Sequence, residues 1–311
     1  MDPQPGVNKV TDAVLQVGTR VASPFEPDNA VGYRQWRANK LAGYPADLSA
    51  LMVEVGDPRA LTAAESAALV DGCRRANMAV YVSGVRDADP ELPRELGRQL
   101  GLTRLDRNYL ADDDGISHVT VAGEAGRGEF IPYTNRPIRW HTDGYYNPPA
   151  RRIRAMLLHC VRRASSGGEN TLLDHEIAYL MLRDEDARHV RALMAADALT
   201  IPAREDEDGI ARPAETGPVF SIEPESGALQ MRYTARTRSI EWKRDGAVEA
   251  AVVALGRVLA TPSPYHHRIT LEPGMGIVCN NVLHERTGFV DEPGAPRLLY
   301  RARYYDRVAS A

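Results

Sequence analysis

Hydrophobic and polar positions along the chain change their period near residue 138, and the two sides predict different elements. Residues 1–55 are rich in Pro, Gly and Asp without a sustained period. They read as an N-terminal extension packed on the main domain, with one helical turn around Tyr33, Arg34, Gln35 and Trp36. A firm helix signal follows. Thr62-Ala63-Ala64-Glu65 is a capping box, in which the Thr hydroxyl accepts the third backbone N–H and the Glu reaches back. Behind it Ala64, Ala68, Leu69 and Cys73 recur at helical spacing. Ala79 to Val82 is a short β-branched and aromatic run that predicts a strand. Residues 91–100 predict a helix and 116–121 another strand.

From Ile138 onward the pattern is mainly β. Ile153 to Val161 is almost continuously apolar, as in a strand buried on both faces. Ser165 to Gly168 reads as a turn, Asn170 to Leu173 as a strand, and Asp174 as the cap of a helix through about Arg183. A further helix runs into the 190s. Residues 219–222 and 228–233 flank Pro224-Glu225-Ser226-Gly227, a hairpin by its turn chemistry. Residues 247–259 form an amphipathic helix, and 267–271, 276–278 and 298–305 close the chain as strands. No repeat, low-complexity tract or linker interrupts the 311 residues. One domain, mainly β with flanking helices, is the expectation.

Composition narrows the class. Hydrophobic residues at 43% and charged residues at 26% exclude a disordered or collagenous chain. The absence of 18 uncharged apolar residues in a row predicts no membrane span, and the first residues lack the pattern of a secretion signal. Three scattered cysteines (Cys73, Cys160, Cys279) are too few for a disulfide framework, which predicts the reducing cytoplasm. A net charge of −4 argues against a nucleic-acid partner held by bulk electrostatics. A small-molecule partner is expected instead, and a homo-oligomer is compatible. Only Lys9, Lys40 and Lys243 are lysines among the 38 basic residues, so a lone arginine carries little weight.

The chain has no glycine-rich dinucleotide fingerprint, phosphate-binding loop, Gly-x-Ser-x-Gly elbow or His-Glu-x-x-His. It does have Trp140-His141-Thr142-Asp143-Gly144, and a second histidine far downstream in Asn280-Asn281-Val282-Leu283-His284-Glu285-Arg286. On a strand, positions i and i+2 share a face. His141 and Asp143 would stand side by side, with His284 supplied by a neighbouring strand. Two histidines and a carboxylate on one face of a metal suit non-haem Fe(II), because three coordination positions stay open. Each of these residues alone is more often a surface or core residue than a ligand. Arg297, Arg301 and Arg303 fall on one face of the last strand. If that face is interior, the guanidinium groups need anionic company, since an unpaired buried charge costs roughly 3–5 kcal/mol. A dicarboxylate that chelates iron would supply it; protein carboxylates or an exposed edge would serve equally.

His141-Thr142-Asp143, Gly167-Gly168-Glu169-Asn170-Thr171-Leu172, Val282 to Phe289 and Arg297-Leu298-Leu299-Tyr300-Arg301 occur in this order. In that order they resemble the taurine dioxygenase and γ-butyrobetaine hydroxylase family of Fe(II)/2-oxoglutarate-dependent oxygenases. The resemblance spans roughly Arg139 to Tyr305. It implies a double-stranded β-helix (jelly-roll) core over 139–305, with a helical lid insert at about 174–265. It assigns His141, Asp143 and His284 to the iron. Thr171 and Arg297 would hold the distal carboxylate of 2-oxoglutarate. Gly144, Tyr146 and Arg301 would meet the substrate, with Gln230 to Arg238 reaching over it.

The implied reaction uses O2 and releases succinate and CO2. With Asp143 present, it would hydroxylate or desaturate an unactivated C–H bond. The arginines suggest an acidic group on the substrate, whereas Tyr133, Trp140, Tyr145 and Tyr146 could cradle a cation. An amino acid, a sulfonate or a betaine-like molecule is the expectation. A zinc-dependent hydrolase or a non-catalytic binding protein on the same scaffold are the alternatives. Two features depart from the family: Asn280-Asn281 stands close to His284, and the gap to Arg297 is slightly long.

Overall fold

In the computed structural model, which describes residues 22–107, 115–121, 130–206, 209–236 and 240–308, two β-sheets lie face to face. Ten strands build them: β1 (Met52–Glu54), β2 (Met78–Val82), β3 (Ser117–Val119), β4 (Ile138–His141), β5 (Ala155–Arg162), β6 (Asn170–Leu173), β7 (His267–Ile269), β8 (Met275–Cys279), β9 (Leu283–Arg286) and β10 (Leu298–Tyr304). The larger sheet has the order β1-β2-β8-β5-β10-β3 and the smaller β7-β6-β9-β4. All pairs are antiparallel except β1 with β2.

Alternation decides what each face carries. On β5, Met156, Leu158 and Cys160 turn inward and meet Leu172 of β6, Ile277 of β8 and Leu299 of β10 in the core between the sheets. Ala155 and Leu157 turn outward onto a second cluster with Leu69, Cys73 and Leu96, from helices α2 (Ala63–Ala76) and α3 (Leu92–Gln99). The apolar run is therefore buried on both faces, as its composition predicted. Outside the smaller sheet, Leu173, Leu283 and Trp140 pack on α4 (His175–Glu185), α5 (Ala187–Leu193) and α6 (Gly246–Ala260).

Several elements match their sequence signals closely. Thr62 and Glu65 form the reciprocal capping box at the start of α2, and Asp174 caps α4 by accepting the Glu176 N–H. Two expectations change. The turn near Tyr33 is a full helix, α1 (Ala30–Gly43), because its aromatic residues find distant partners: Trp36 packs on Phe25, and Tyr33 on Tyr179. Lys40 on the same helix is buried against Asp174 at 2.7 Å and Glu176 at 2.6 Å. The insert 174–265 is also not purely helical. Short strands at Leu199–Ile201, Glu215–Gly217 and Glu241–Trp242 form one small sheet, and Phe220–Ile222 pairs with Leu229–Met231 as the expected hairpin. Among the described residues, no helix is long and apolar enough to cross a membrane.

Candidate metal centre

The site begins with register. β9 pairs with β4 so that His284 stands directly opposite His141, and the ring centroids are 4.1 Å apart. The pairing then slips: Arg286 opposes Ile138, so three residue steps on β4 face two on β9. His141 shares the inner face with its partner His284, while Trp140 turns to the outer helices. β4 ends at His141, so Asp143 is delivered by a turn, not by the strand alternation expected for His-x-Asp. That turn is tied down at each step. The Thr142 N–H donates to the Tyr233 carbonyl at 3.0 Å, and the Tyr233 N–H returns a bond to Thr142 Oγ1 at 3.1 Å. Gly144 follows with φ +64°, where an added Cβ would lie 2.5 Å from Ile153.

His141, Asp143 and His284 each offer a ligand atom, and these atoms lie within 4.8 Å of one another. Asp143 Oδ1 is 3.6 Å from His141 Nε2 and 3.9 Å from His284 Nε2. Both imidazoles contact a backbone carbonyl through Nδ1, His141 with Arg139 at 3.0 Å and His284 with Val282 at 2.9 Å. A carbonyl only accepts, so each Nδ1 is the donor there and each Nε2 is left facing the carboxylate. Burial, followed by the neighbouring His141, pushes the His284 pKa down to about 4, which keeps the ring neutral. Burial alone would raise the Asp143 pKa. The Arg301 charge, the His141 contact and the Arg303 charge outweigh it and hold the carboxyl well below its ordinary value. Two imidazole Nε2 atoms and one carboxylate oxygen fit a divalent iron ion.

The three arginines share the interior face but differ in company. Arg303 is paired with Asp106 and donates to Tyr146 Oη at 3.2 Å. Arg301 lies 3.2 Å from Asp143 Oδ2. Arg297 is 5% exposed, stands over the Phe289 ring at 5.1 Å, and has no ion-pair partner among the described residues. Arg286, which the sequence reading passed over, flanks the same ring at 4.6 Å. Its Nε and Nη1 are buried without partners, while Nη2 donates to the carbonyls of Thr134 and Arg136. Burial and the Arg297 charge push its pKa down to about 9.

Thr171 does not join this group. Register pairs His284 with Leu172, Arg286 with Asn170, and Glu285 with Thr171. Residues directly opposite share a face, so Asn170 stands on the His284 side and Thr171 on the other. Glu285, adjacent to a ligand on its strand, points away from it, and the register places Thr171 with Glu285. Thr171 and Glu285 instead line an outer groove of about 760 Å³ with Arg139, Trp140, Tyr233 and His266. Tyr146 is half-buried beside Tyr145, with the Arg212 guanidinium 5.8 Å from its ring. Within 230–238, Thr234 bridges to His141 and is buried, whereas 237 and 238 lie outside the described residues. Asp174 caps α4 and pairs with Lys40, so it supplies no general base for a hydrolase here.

The family model described as "Taurine catabolism dioxygenase TauD, TfdA family" matches residues 40–303. A uridine-5'-phosphate dioxygenase from Amycolatopsis sp is 33% identical over 171 residues, 53% of this chain and 60% of that protein. A protein of the same description from Streptomyces sp is 29% identical over 200 residues, 61% of this chain and 70% of that one. Among solved structures, AAD-2 in complex with Mn(II) and N-oxalylglycine superposes with a TM-score of 0.58. It covers 84% of this chain and 97% of its own at 15% identity. An asparagine oxygenase in complex with Fe(II), 2S,3S-3-hydroxyasparagine and succinate reaches 0.55, over 82% and 93%, also at 15% identity. At that identity the likeness concerns the fold, which is the jelly-roll of these oxygenases.

Proposed function

The chain belongs to the TauD/TfdA family of dioxygenases, and from that premise we propose that it is a non-haem Fe(II)- and 2-oxoglutarate-dependent oxygenase. One observation carries the reading: His141, Asp143 and His284 converge with both Nε2 atoms turned toward one carboxylate. Iron bound there supplies the oxidising chemistry that couples decarboxylation of 2-oxoglutarate to attack on a C–H bond. The chain's own residues hold and orient the reactants.

Arg297 is the cation we assign to the distal carboxylate of 2-oxoglutarate, since Arg301 and Arg303 already have carboxylate company. In place of Thr171 we assign Asn170 as its polar neighbour, on the strength of the strand register. Arg301, 3.2 Å from Asp143 Oδ2, is the residue we assign to an anionic group of the substrate. Gly144 lets the backbone turn closely past Ile153 behind Asp143, and Tyr146 presents a phenol fixed by Arg303; both are the residues we assign to the substrate side. Residues 139–305 are the catalytic core of a single unit, with 174–265 as its cover. Three buried cysteines, none in a disulfide, suit a reducing compartment, and the cytoplasm is the location we propose.

The two uridine-5'-phosphate dioxygenases favour a phosphorylated substrate over the amino acid or betaine suggested by the arginines of the last strand and the aromatic residues near His141. A 5'-phosphorylated nucleoside is therefore the first compound to offer. The test is an anaerobic titration of Fe(II) and 2-oxoglutarate, watched for a weak visible charge-transfer band. The band is expected with wild type and lost in His141→Ala; no band in wild type overturns the assignment. Succinate release across nucleoside phosphates, sulfonates, amino acids and betaines then ranks the substrates.

A further inference from the structure

Asn281 lies in the short turn between β8 and β9, three residues before His284, with φ +51°. That left-handed conformation is uncommon outside glycine, and asparagine is one of the few residues that tolerate it. Its side chain reaches 138 positions back along the chain. Oδ1 accepts the Asp143 N–H at 2.7 Å, and Nδ2 donates to the Asp143 carbonyl at 2.9 Å and the Ile153 carbonyl at 2.8 Å. One buried amide therefore binds both backbone groups of Asp143. The turn has its own anchor. Asn280 N–H donates to the Asn77 carbonyl at 2.8 Å, Asn280 Nδ2 to Asn77 Oδ1 at 3.2 Å, and the Val308 N–H to Asn280 Oδ1 at 2.9 Å.

We propose that Asn281 is a positioning residue that fixes the placement of Asp143 relative to His284 and so sets metal affinity and geometry. The inference rests on the reading that His141, Asp143 and His284 hold the metal. β4 stops at His141, so no strand ladder governs where Asp143 goes. The amide of Asn281 takes the ladder's place, and it is borne by the segment that delivers the third ligand. Two ligands far apart in sequence are thereby held at one spacing by the protein itself. Groups that orient metal ligands typically account for about 10–100-fold in affinity.

Two substitutions separate this role from general folding. Asn281→Gly keeps the left-handed backbone without strain and removes the clamp; Asn281→Asp keeps the acceptor and turns an oxygen on two carbonyls. Co(II) is the probe, because its visible absorption reports coordination without turnover, and melting without metal reports the fold. Asn281→Gly should bind Co(II) about 10–100-fold more weakly than wild type, with an altered absorption envelope, and Asn281→Asp should fall between them. A folded Asn281→Gly protein with the wild-type affinity and envelope overturns the proposal. So does failure of both variants to fold, which would mark Asn281 as serving the fold instead. His141→Ala is the control: if it binds Co(II) as tightly as wild type, the metal assignment fails independently of Asn281.

Discussion

Substitutions at Asn170 and Thr171 separate two readings of one motif. If Asn170 faces the co-substrate, Asn170→Ala should weaken 2-oxoglutarate binding about 10-fold or more, the worth of a hydrogen bond to a charged group. Thr171→Val should leave it within about two-fold. The co-substrate dependence of the visible band measures both, and the reverse order would return the role to Thr171. The motif had the right letters but not the face, because a one-residue shift on a strand exchanges its two sides. His141 and His284 were legible because their surroundings are distinctive, whereas Arg286 looked like one more arginine in an arginine-rich chain.

His159 is a residue whose chemistry concerns stability alone. It is fully buried and hydrogen-bonds Tyr81 Oη through Nδ1 at 2.9 Å, and burial pushes its pKa down to about 4 from the ordinary 6.5. Between pH 6.5 and 4 the unfolded chain therefore takes up a proton that the folded chain refuses. Stability should fall with acid across that window by about 2 kcal/mol from this group. Urea unfolding at pH 7 and 4.5 checks it, and His159→Gln should flatten the dependence.

At the scale of elements, α1 shows what periodicity leaves out. Its helix is held by an aromatic face and by Lys40, buried between Asp174 and Glu176 where α4 begins. No local pattern marks a lysine as interior; its partners are more than 130 positions away. Lys40→Ala should cost about 3–5 kcal/mol, because two buried carboxylates lose their counter-ion. Lys40→Ala together with Asp174→Asn and Glu176→Gln should recover part of that loss in urea unfolding. Apart from the hairpin at Phe220–Ile222 and Leu229–Met231, the strands of the insert were illegible for a different reason. Most are two or three residues long, too short for alternation to rise above chance. The bulge in β4 was equally hidden, since it exists only in the pairing with β9.

For the whole molecule, the strands and helices followed from the apolar runs, while the two-sheet jelly-roll and the centre within it came from the resemblance that four motifs in order carry. The ligand spacing came from contacts no motif records. Because the centre joins both sheets, ligands that bind it should stabilise the entire fold by mass action. At about 100 times their dissociation constants, Co(II) and 2-oxoglutarate should each add about 2.7 kcal/mol and raise the melting temperature by several degrees. His141→Ala should erase the response to the metal; an undiminished shift in that variant would contradict the centre.

The outer groove has a consequence of its own. Trp140 and Glu285, which line it, are the chain neighbours of His141 and His284, so a single layer of backbone is the party wall between groove and iron ligands. Reshaping that outside surface, whether by mutagenesis or by drift, cannot be done without leaning on the inside. Remodelling the groove through Trp140 should retune the metal before it creates anything new, and engineers seeking a quiet attachment point should look elsewhere on the molecule.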